Sequence, residues 1–536
     1  MANSRSEAQR WQQTRPRSEN AHRKLKRFLG LLAVPLALFS FPALAAKWDI
    51  VPSLSLEETY SDNVSMAPSA LKQSDWITQF SPGISIAATG IGLRFKAIYD
   101  PQVIYYAQGQ RGSEVFQRGN AAGTVELGKQ LLFVDFGAKI DQYDASLQAP
   151  LTTSNANITG NRATVRTYYA SPFLRRTIGA DVRAEARLTG SVVDADHPSS
   201  LSNSSSSLSD SVADRIDLSL KSGPSYKLMV WDLDFYREAI NYRSGQVDTV
   251  TEVMTANARR LITSTVGLLV HAGYDYYDTG NSASDLKGTS WSAGFEWSPS
   301  PTTRFAATAG QQFYGDTYSL DFYHRTRLTT WSAVYSQYVT TTRSEFFVPP
   351  TASTAGYLDA LFSSQFPDPA ARQKAVQEFI ARTGLPPSLG TATNFFTSEL
   401  FVVKKWQASA GILGVRNVLI VNLFKETREA LDANLARVDA GDFAVSNTIT
   451  QTGVSFQWNW RMTTQNAFNL GGKCNRNEFP WTSRIDNLKY VGMGLTRQFQ
   501  QRLSGSLNYR RQQNDSSESA ASYTENAVFA TLQMRF

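Results

Sequence analysis

The chain has 536 residues, 12% of them aromatic and 18% charged, and a formal charge of +7. One cysteine, Cys474, excludes an intramolecular disulfide and cysteine-based metal sites, and the four histidines form no H-E-x-x-H arrangement. Eight basic residues against two acidic ones fall within positions 1–27, so the rest carries about +1 and lacks the electrostatic footing for nucleic acid.

The chain opens with a basic block, His22-Arg23-Lys24-Leu25-Lys26-Arg27, stays uncharged from Phe28 onward, and reaches Ala43-Leu44-Ala45. A basic region, a short apolar run and small residues at −3 and −1 predict a secretory signal peptide over 1–45, cleaved after Ala45, and a mature domain over 46–536. Pro35 and Pro42 interrupt the run, which speaks against a membrane anchor. Beyond it no stretch of about 18 apolar residues occurs, and the mean hydropathy is −0.30, so a helical membrane protein is excluded.

Next comes alternation. Ile91, Leu93, Phe95, Ala97 and Tyr99 alternate with Gly92, Arg94, Lys96 and Ile98; Leu132, Val134, Phe136, Ala138 and Ile140 alternate with Phe133, Asp135, Gly137 and Lys139. In 180–188 every even position is apolar, while Asp181, Arg183, Glu185 and Arg187 fill the odd ones. Ile216, Leu218 and Leu220 oppose Arg215, Asp217 and Lys221, and Val266 to Tyr276 makes a longer stripe that leaves His271 on its other side. A period of two is a strand with one apolar and one polar face; a helix needs apolar residues at i, i+3 and i+4. Short turns at Gly90, Gly128-Lys129, 222–224, 298–301 and Leu413-Gly414 alternate with longer polar connections over 145–160, 199–211, 279–287, 430–443, 472–485 and 514–521. Short turns on one side and long polar loops on the other are how outer-membrane barrels are built.

Between Arg343 and about Phe396 alternation stops. Asp368 as N-cap, Pro369 in the first turn, an apolar stripe of Ala375, Val376, Phe379 and Ile380, and Gly384 at the end predict a helix, with a shorter one over Ala355–Phe362. Strand parity puts this 344–396 insertion on the extracellular side, where capping the barrel, folding into the lumen and standing as a surface loop are all open. At the end of the chain Val528, Ala530, Leu532, Met534 and Phe536 alternate with polar and small residues, in the pattern of an outer-membrane assembly signal.

Together these elements predict an all-β fold, a transmembrane antiparallel β-barrel of about 20–22 strands, with 22 from direct counting and 18 still possible. The destination is the outer membrane of a Gram-negative cell, with outer-membrane lipid and the barrel-assembly machinery as partners. Arg94, Lys96, Asp135, Lys139, Asp181, Arg183, Glu185, Arg187, Arg215, Asp217 and Lys221 are then expected to line the lumen, either tuning passage through a channel or closing it as a salt-bridge network. No catalytic constellation, cofactor motif or metal site stands out, and the chain is not expected to be an enzyme; Asp321 and His324 are the one pair from which a hydrolase could be drawn. TonB-dependent transport is disfavoured, because that class carries a globular plug before the barrel, and alternation here begins by Ile91 at the latest.

Leu54–Val64, Trp297-Ser298-Pro299-Ser300, Phe313–Tyr318, Lys404-Lys405 with Val415-Arg416-Asn417, and Tyr523-Thr524-Glu525-Asn526 through to Phe536 resemble the PEP-CTERM system-associated outer-membrane protein family. Gln312 stands where that pattern has an arginine before its Phe-Tyr-Gly block. The resemblance implies a place beside exosortase and exopolysaccharide systems, with exopolysaccharide or its export components as partners and no catalytic residues to carry over. A porin-like channel or export component is therefore expected, and a structural or adhesive protein with a closed lumen is the alternative.

Overall fold

The structure, a computed structural model, describes residues 46–536 except 110–111, 180, 197–209, 244–247, 280–285, 348–353, 364, 384–391, 394, 398, 432–440 and 445. The expected signal peptide and most of the Ser-rich 199–211 loop lie outside the described residues, as do the centres of the 279–287 and 430–443 connections.

Strand segments β1 (Lys47–Ser61), β2 (Asp75–Gly90), β3 (Leu93–Tyr99), β4 (Gln102–Tyr106), β5 (Glu114–Phe116), β6 (Gly119–Gly128), β7 (Leu132–Asp144), β8 (Arg162–Ile178), β9 (Val182–Asp196), β10 (Ser211–Ser222), β11 (Met229–Tyr242) and β12 (Thr249–Leu261) form the first half of one sheet. The second half holds β13 (Val266–Asp278), β14 (Leu286–Ser300), β15 (Thr303–Gln312), β16 (Gly315–Arg325), β17 (Thr329–Thr340), β18 (Phe401–Leu413), β19 (Asn417–Ala430), β20 (Thr448–Arg461), β21 (Asn466–Phe479), β22 (Arg484–Gln500), β23 (Leu503–Ser516) and β24 (Tyr523–Arg535). Each wall strand pairs antiparallel with its sequence neighbours, and β1 pairs with both β2 and β24, which closes the sheet. Segments β3 and β4 both pair with β2, while β5 and β6 answer them on the next strand. The break between β3 and β4 falls at Asp100-Pro101, where proline has no N–H to give to the ladder. With the two broken strands counted once each, the barrel has 22 strands.

The register sorts the two faces. Leu188, Ala186 and Ala184 of β9 sit opposite Ile216, Leu218 and Leu220 of β10, and Arg187, Glu185 and Arg183 sit opposite Asp217, Ser219 and Lys221. A slip of one residue would turn those charges onto lipid, at roughly 2–4 kcal/mol for each Arg or Lys near mid-membrane, so the alternation alone enforces the register. The outer face is an apolar belt in which Trp76, Leu188, Trp291, Leu423 and Leu532 stand exposed. A belt of that kind on a closed sheet is stable only in a bilayer, since a soluble barrel would leave it in water.

The short turns lie at the end of the barrel that holds Phe536, whose N–H donates to the Pro52 carbonyl (2.9 Å). Gly92, with φ of 77°, makes the turn after β2 in a conformation that a side chain would resist. That end is periplasmic. One expected connection is corrected: β21 continues to Phe479, so 472–479 is strand and only 480–483 turns. Lys473, Asn475 and Asn477 read as a polar loop because they face a polar lumen, where they meet Tyr490, Leu488 and Asp486 of β22. Cys474, expected in that loop, lies in the strand and is exposed.

Candidate functional site, a plugged lumen

The insertion between β17 and β18 leaves the wall at its extracellular end, where Thr340 pairs with Phe401. It holds α1 (Thr342–Glu345), α2 (Thr354–Phe362) and α3 (Pro369–Thr383). Thr341 caps α1, accepting from the Ser344 N–H (3.1 Å), and Asp368 caps α3, accepting from the Ala371 N–H (2.8 Å).

Contacts with the wall show how deep the segment goes. At the extracellular end Arg343 is 1% exposed; its Nε donates to Ser211 Oγ (2.9 Å) and its Nη2 to Ser191 Oγ (2.8 Å), with Glu238 at 3.7 Å. These partners belong to β9, β10 and β11. Glu345, two residues on, lies 3.3 Å from Arg428 of β19, whose Nε also donates to Glu426 (2.8 Å). The two charges of α1 thus bind different arcs of the wall. Burial outweighs the Arg428 attraction and pushes the Glu345 carboxyl up to about 6.

At the other end Tyr357 donates to the Thr330 carbonyl (2.9 Å), and Ser363 meets the Arg325 guanidinium. Thr330 begins β17 and Arg325 ends β16, so both mark the periplasmic end. Leu358, Leu361 and Phe362 of α2 pack with Val376 and Phe379 of α3 against Leu413, Val418 and Ile420 beside the β18–β19 turn. Those three wall residues explain the position of the helices: they are adjacent apolar side chains facing inward, and the plug covers them. The described parts of the insertion therefore lie inside the barrel, α1 and Phe395-Phe396 at the extracellular rim and α2 and α3 at the periplasmic end; of the three placements open from sequence, it takes the lumen.

A lid folds over the β18–β24 side of the outer end, above the plug. Leu147 and Leu151 from the β7–β8 connection form one buried cluster with Phe395, Phe401, Phe443, Phe479 and Tyr523. The Asp442 carboxylate accepts from the Leu147 N–H (2.7 Å), Ser146 Oγ (2.5 Å) and Gln148 Nε2 (3.0 Å). Glu525 accepts from Asn157 Nδ2 (2.9 Å) and Arg510 Nη2 (2.8 Å), and Tyr523 donates to the Leu151 carbonyl (2.6 Å). The 145–160 connection, expected as an extracellular loop, is folded inward by these bonds.

Most of the expected lumen charges sit in the periplasmic half of the β3–β10 arc, with Lys139 and Arg215 nearer the middle. Asp135 accepts from Arg187 (2.7 Å), Arg187 also holds Glu185 (3.1 Å), and Glu185 binds Arg175 (2.8 Å). The Arg187 guanidinium lies 3.9 Å from the Phe173 ring centre. Arg215 pairs with Asp217 (2.7 Å), Lys221 with Asp234 (3.6 Å), and Lys139 donates to Tyr143 (2.6 Å). Arg94, Lys96 and Arg183 face the lumen and have no ion pair among the described residues. Asp181 is corrected: it lies in the turn before β9, not in the wall, because β9 begins only at Val182. On β7–β9 these charges form a paired network, with the three lumen-facing cations beside it. His271 faces inward, its Nδ1 2.8 Å from Asn257 Oδ1. Asp321 pairs with Val334 and Ala306 on the inner face, while His324 three residues on points to the other face, toward Thr303 Oγ1 (2.9 Å), so the hydrolase pair is not assembled.

Along the β19–β24 arc lies a cavity of about 1020 Å³. It reaches from Thr153 and Ser154 of the lid, past Glu378 of α3, to Gln501 and Arg502 in the periplasmic turn between β22 and β23. Its extracellular end is closed by the lid, and its other end meets the periplasmic mouth. No sequence motif marked this cavity; the signal available was the run of Asn, Gln, Ser and Thr at alternate positions of β20–β24.

A closed 22-strand sheet, an apolar outer belt and a polar interior make this chain an outer-membrane β-barrel. No protein-family model and no curated protein matches the sequence. Among solved structures it is similar to the ferric-catecholate import receptor Fiu from E. coli K12, with 10% identity, 90% of this chain and 81% of that one covered, and a TM-score of 0.47. It is also similar to the siderophore receptor PirA from Acinetobacter baumannii (8% identity, 91% and 80% covered, TM-score 0.44) and to OccAB2 from the same organism (9% identity, 91% and 98% covered, TM-score 0.33). At such identities the likeness is one of barrel architecture, and nothing those proteins bind transfers with it.

Proposed function

We propose that this protein is a plugged outer-membrane conduit whose helical insertion gates passage, and that it serves the export of surface polysaccharide. The gating part is supported by one observation above the others: the described parts of the 341–400 segment lie in the lumen from the extracellular rim to Thr330 and Arg325, held by the α1 ion pairs and by separate apolar clusters at the two ends. A purely structural filler has no need of buried charges, which cost several kcal/mol each to desolvate and are retained where a specific, breakable contact is useful. Outward direction is supported by the cavity, which meets the periplasmic mouth and is lidded outside. The polysaccharide part is supported by the resemblance to PEP-CTERM system-associated proteins and is associational. The lid favours a second reading, an outer-membrane protein of structural or adhesive role that passes nothing.

A strain lacking this protein is expected to lose surface polysaccharide and accumulate it in the periplasm, measured by fractionation and sugar analysis. Unchanged surface polysaccharide with no periplasmic pool would remove the export reading and leave the structural one.

A further inference from the structure

The inner wall is chemically divided. From β7 to β16 its inward positions carry Arg, Lys, Asp and Glu at close spacing; from β19 to β24 inward charges such as Glu426, Arg428, Arg484, Asp486 and Glu525 gather in the extracellular half, and the positions periplasmic to them are mostly neutral down to Arg461 and Arg535. Asn422, Gln457, Asn469, Thr496, Ser506 and Asn508 line the cavity there. Charged residues border this strip: Lys473 and Arg510 beneath the lid, Glu57 on β1 beside Thr531, Glu378 on α3, and Arg502 and Arg535 at the periplasmic mouth.

Glycines shape this shelf. A Cβ on Gly494 would meet Asn508 Oδ1 at 2.0 Å, one on Gly471 would meet Gln457 Oε1 at 2.5 Å, and one on Gly492 would meet the Tyr490 hydroxyl at 2.5 Å. The two amides thus lie over glycines of the neighbouring strands, and the Tyr490 ring lies along its own strand over Gly492. Only residues without a side chain allow that.

Ligand chemistry follows by elimination. An ion lying along the strip of amides would lose hydration and meet its counter-charges only at the margins. An apolar chain would leave the amides without partners, at about 1–3 kcal/mol for each buried group. A neutral chain dense in hydroxyls satisfies both sides: each amide donates and accepts, as each hydroxyl does, and Tyr490 offers a ring to the apolar face of a sugar. The volume lies at the top of the range for drug-sized ligands, enough for several linked units.

We infer that the β19–β24 arc is a periplasm-facing binding site for an uncharged, hydroxyl-rich chain, a neutral glycan segment. The inference rests on the conduit reading and narrows its cargo to neutral glycans taken up from the inside.

Calorimetry on the full mature chain in detergent, its folding checked by heat-modifiable gel migration, tests it with maltoheptaose, cellohexaose and a dextran oligosaccharide as neutral probes and oligogalacturonate as the anionic one. At least one neutral probe is expected to bind, with the anionic probe about tenfold weaker or undetected. Gln457→Leu with Asn508→Leu is expected to weaken the neutral probe about tenfold, and Arg187→Gln on the charged arc to leave it unchanged. Binding of no neutral probe, tighter binding of the anionic one, or an effect confined to Arg187→Gln would overturn the assignment. Calorimetry needs no open channel, so the two claims fail separately. Glycan binding by a protein that never conducts removes the conduit and keeps the site; conduction without glycan binding removes the site alone.

Discussion

Deleting residues 344–396 is expected to turn a closed protein into an open one: the shortened chain should give stable, ohmic conductance steps in planar bilayers under conditions where the full chain is silent or opens only in brief events. The barrel should survive the deletion, because β17 and β18 pair directly from Thr329–Ile412 to Thr340–Phe401 and need no help from the insertion. The ends to be joined are also close, since Thr342 Oγ1 donates to the Phe395 carbonyl (3.0 Å) across the root of the loop. The deletion removes α2 and α3 from the lumen and also takes Phe395 and Phe396 out of the lid clusters. With that lid loosened, a barrel of 22 strands has a lumen wider than the 16–18-strand porins that conduct without a plug. Conductance no greater than that of the full chain, from protein shown to be folded and inserted, would mean that the insertion does not obstruct the path.

The second expected effect comes from the α1 ion pairs. Arg343→Met takes away the guanidinium that Glu238 faces, and Arg428→Met leaves Glu345 and Glu426 close together with Lys405, 3.4 Å from Glu426, as the neighbouring cation. Removing one member of a buried pair costs about 3–5 kcal/mol, against about 0–1 for a surface pair, so either change should shift the docked-to-undocked ratio of the plug by a factor on the order of 100–1000. Frequent openings in the variants, with melting of the barrel unchanged, are expected from single-channel records and heat-modifiability. Adding Glu345→Gln to Arg428→Met should restore part of the docking, which a general loss of folding would not. The pH dependence has a definite sign. Glu345 has its carboxyl raised to about 6 when docked, so the docked state holds the proton more tightly than the undocked one. Docking through this group is strongest at pH below the ordinary glutamate range, weakens as pH rises toward about 6, and is flat above that; openings should therefore be fewer at pH 5 than at pH 7, and Glu345→Gln should remove the difference.

Much of the fold was legible because a barrel wall obeys one rule at every position. Alternation at 182–188, 216–221 and 528–535 assigns lipid and lumen faces directly, and the count of 22 follows from adding such segments. The same rule misleads where both faces are polar or both apolar. Lys473, Asn475 and Asn477 look like a loop because the rim residues between them, Arg476 and Glu478, are charged as well. Val418-Leu419-Ile420-Val421 carries the opposite signal: a strand apolar on both faces has lipid on one side and something apolar on the other, which is the plug. Read that way, it marks the docking point of the insertion from sequence. The latch could not be read so. Arg343 and Glu345 sit in an irregular stretch, and their partners at Ser191, Glu238 and Arg428 are brought near only by closure of the barrel. Nor could the inward fold of 145–160, whose Leu147 and Leu151 meet Phe443 and Tyr523 from strands and loops some 300 or more residues later.

The central claim is that the 344–396 insertion lies in the lumen and reaches the periplasmic end. Gln365, exposed between α2 and α3 close to the Ser363–Arg325 contact, reports on it directly. In a Cys474→Ser background, Gln365→Cys should resist a large, membrane-impermeant maleimide added to intact cells and react with it once the periplasm is opened. Labelling at Gln365→Cys from outside intact cells would place the insertion on the cell surface and contradict the account.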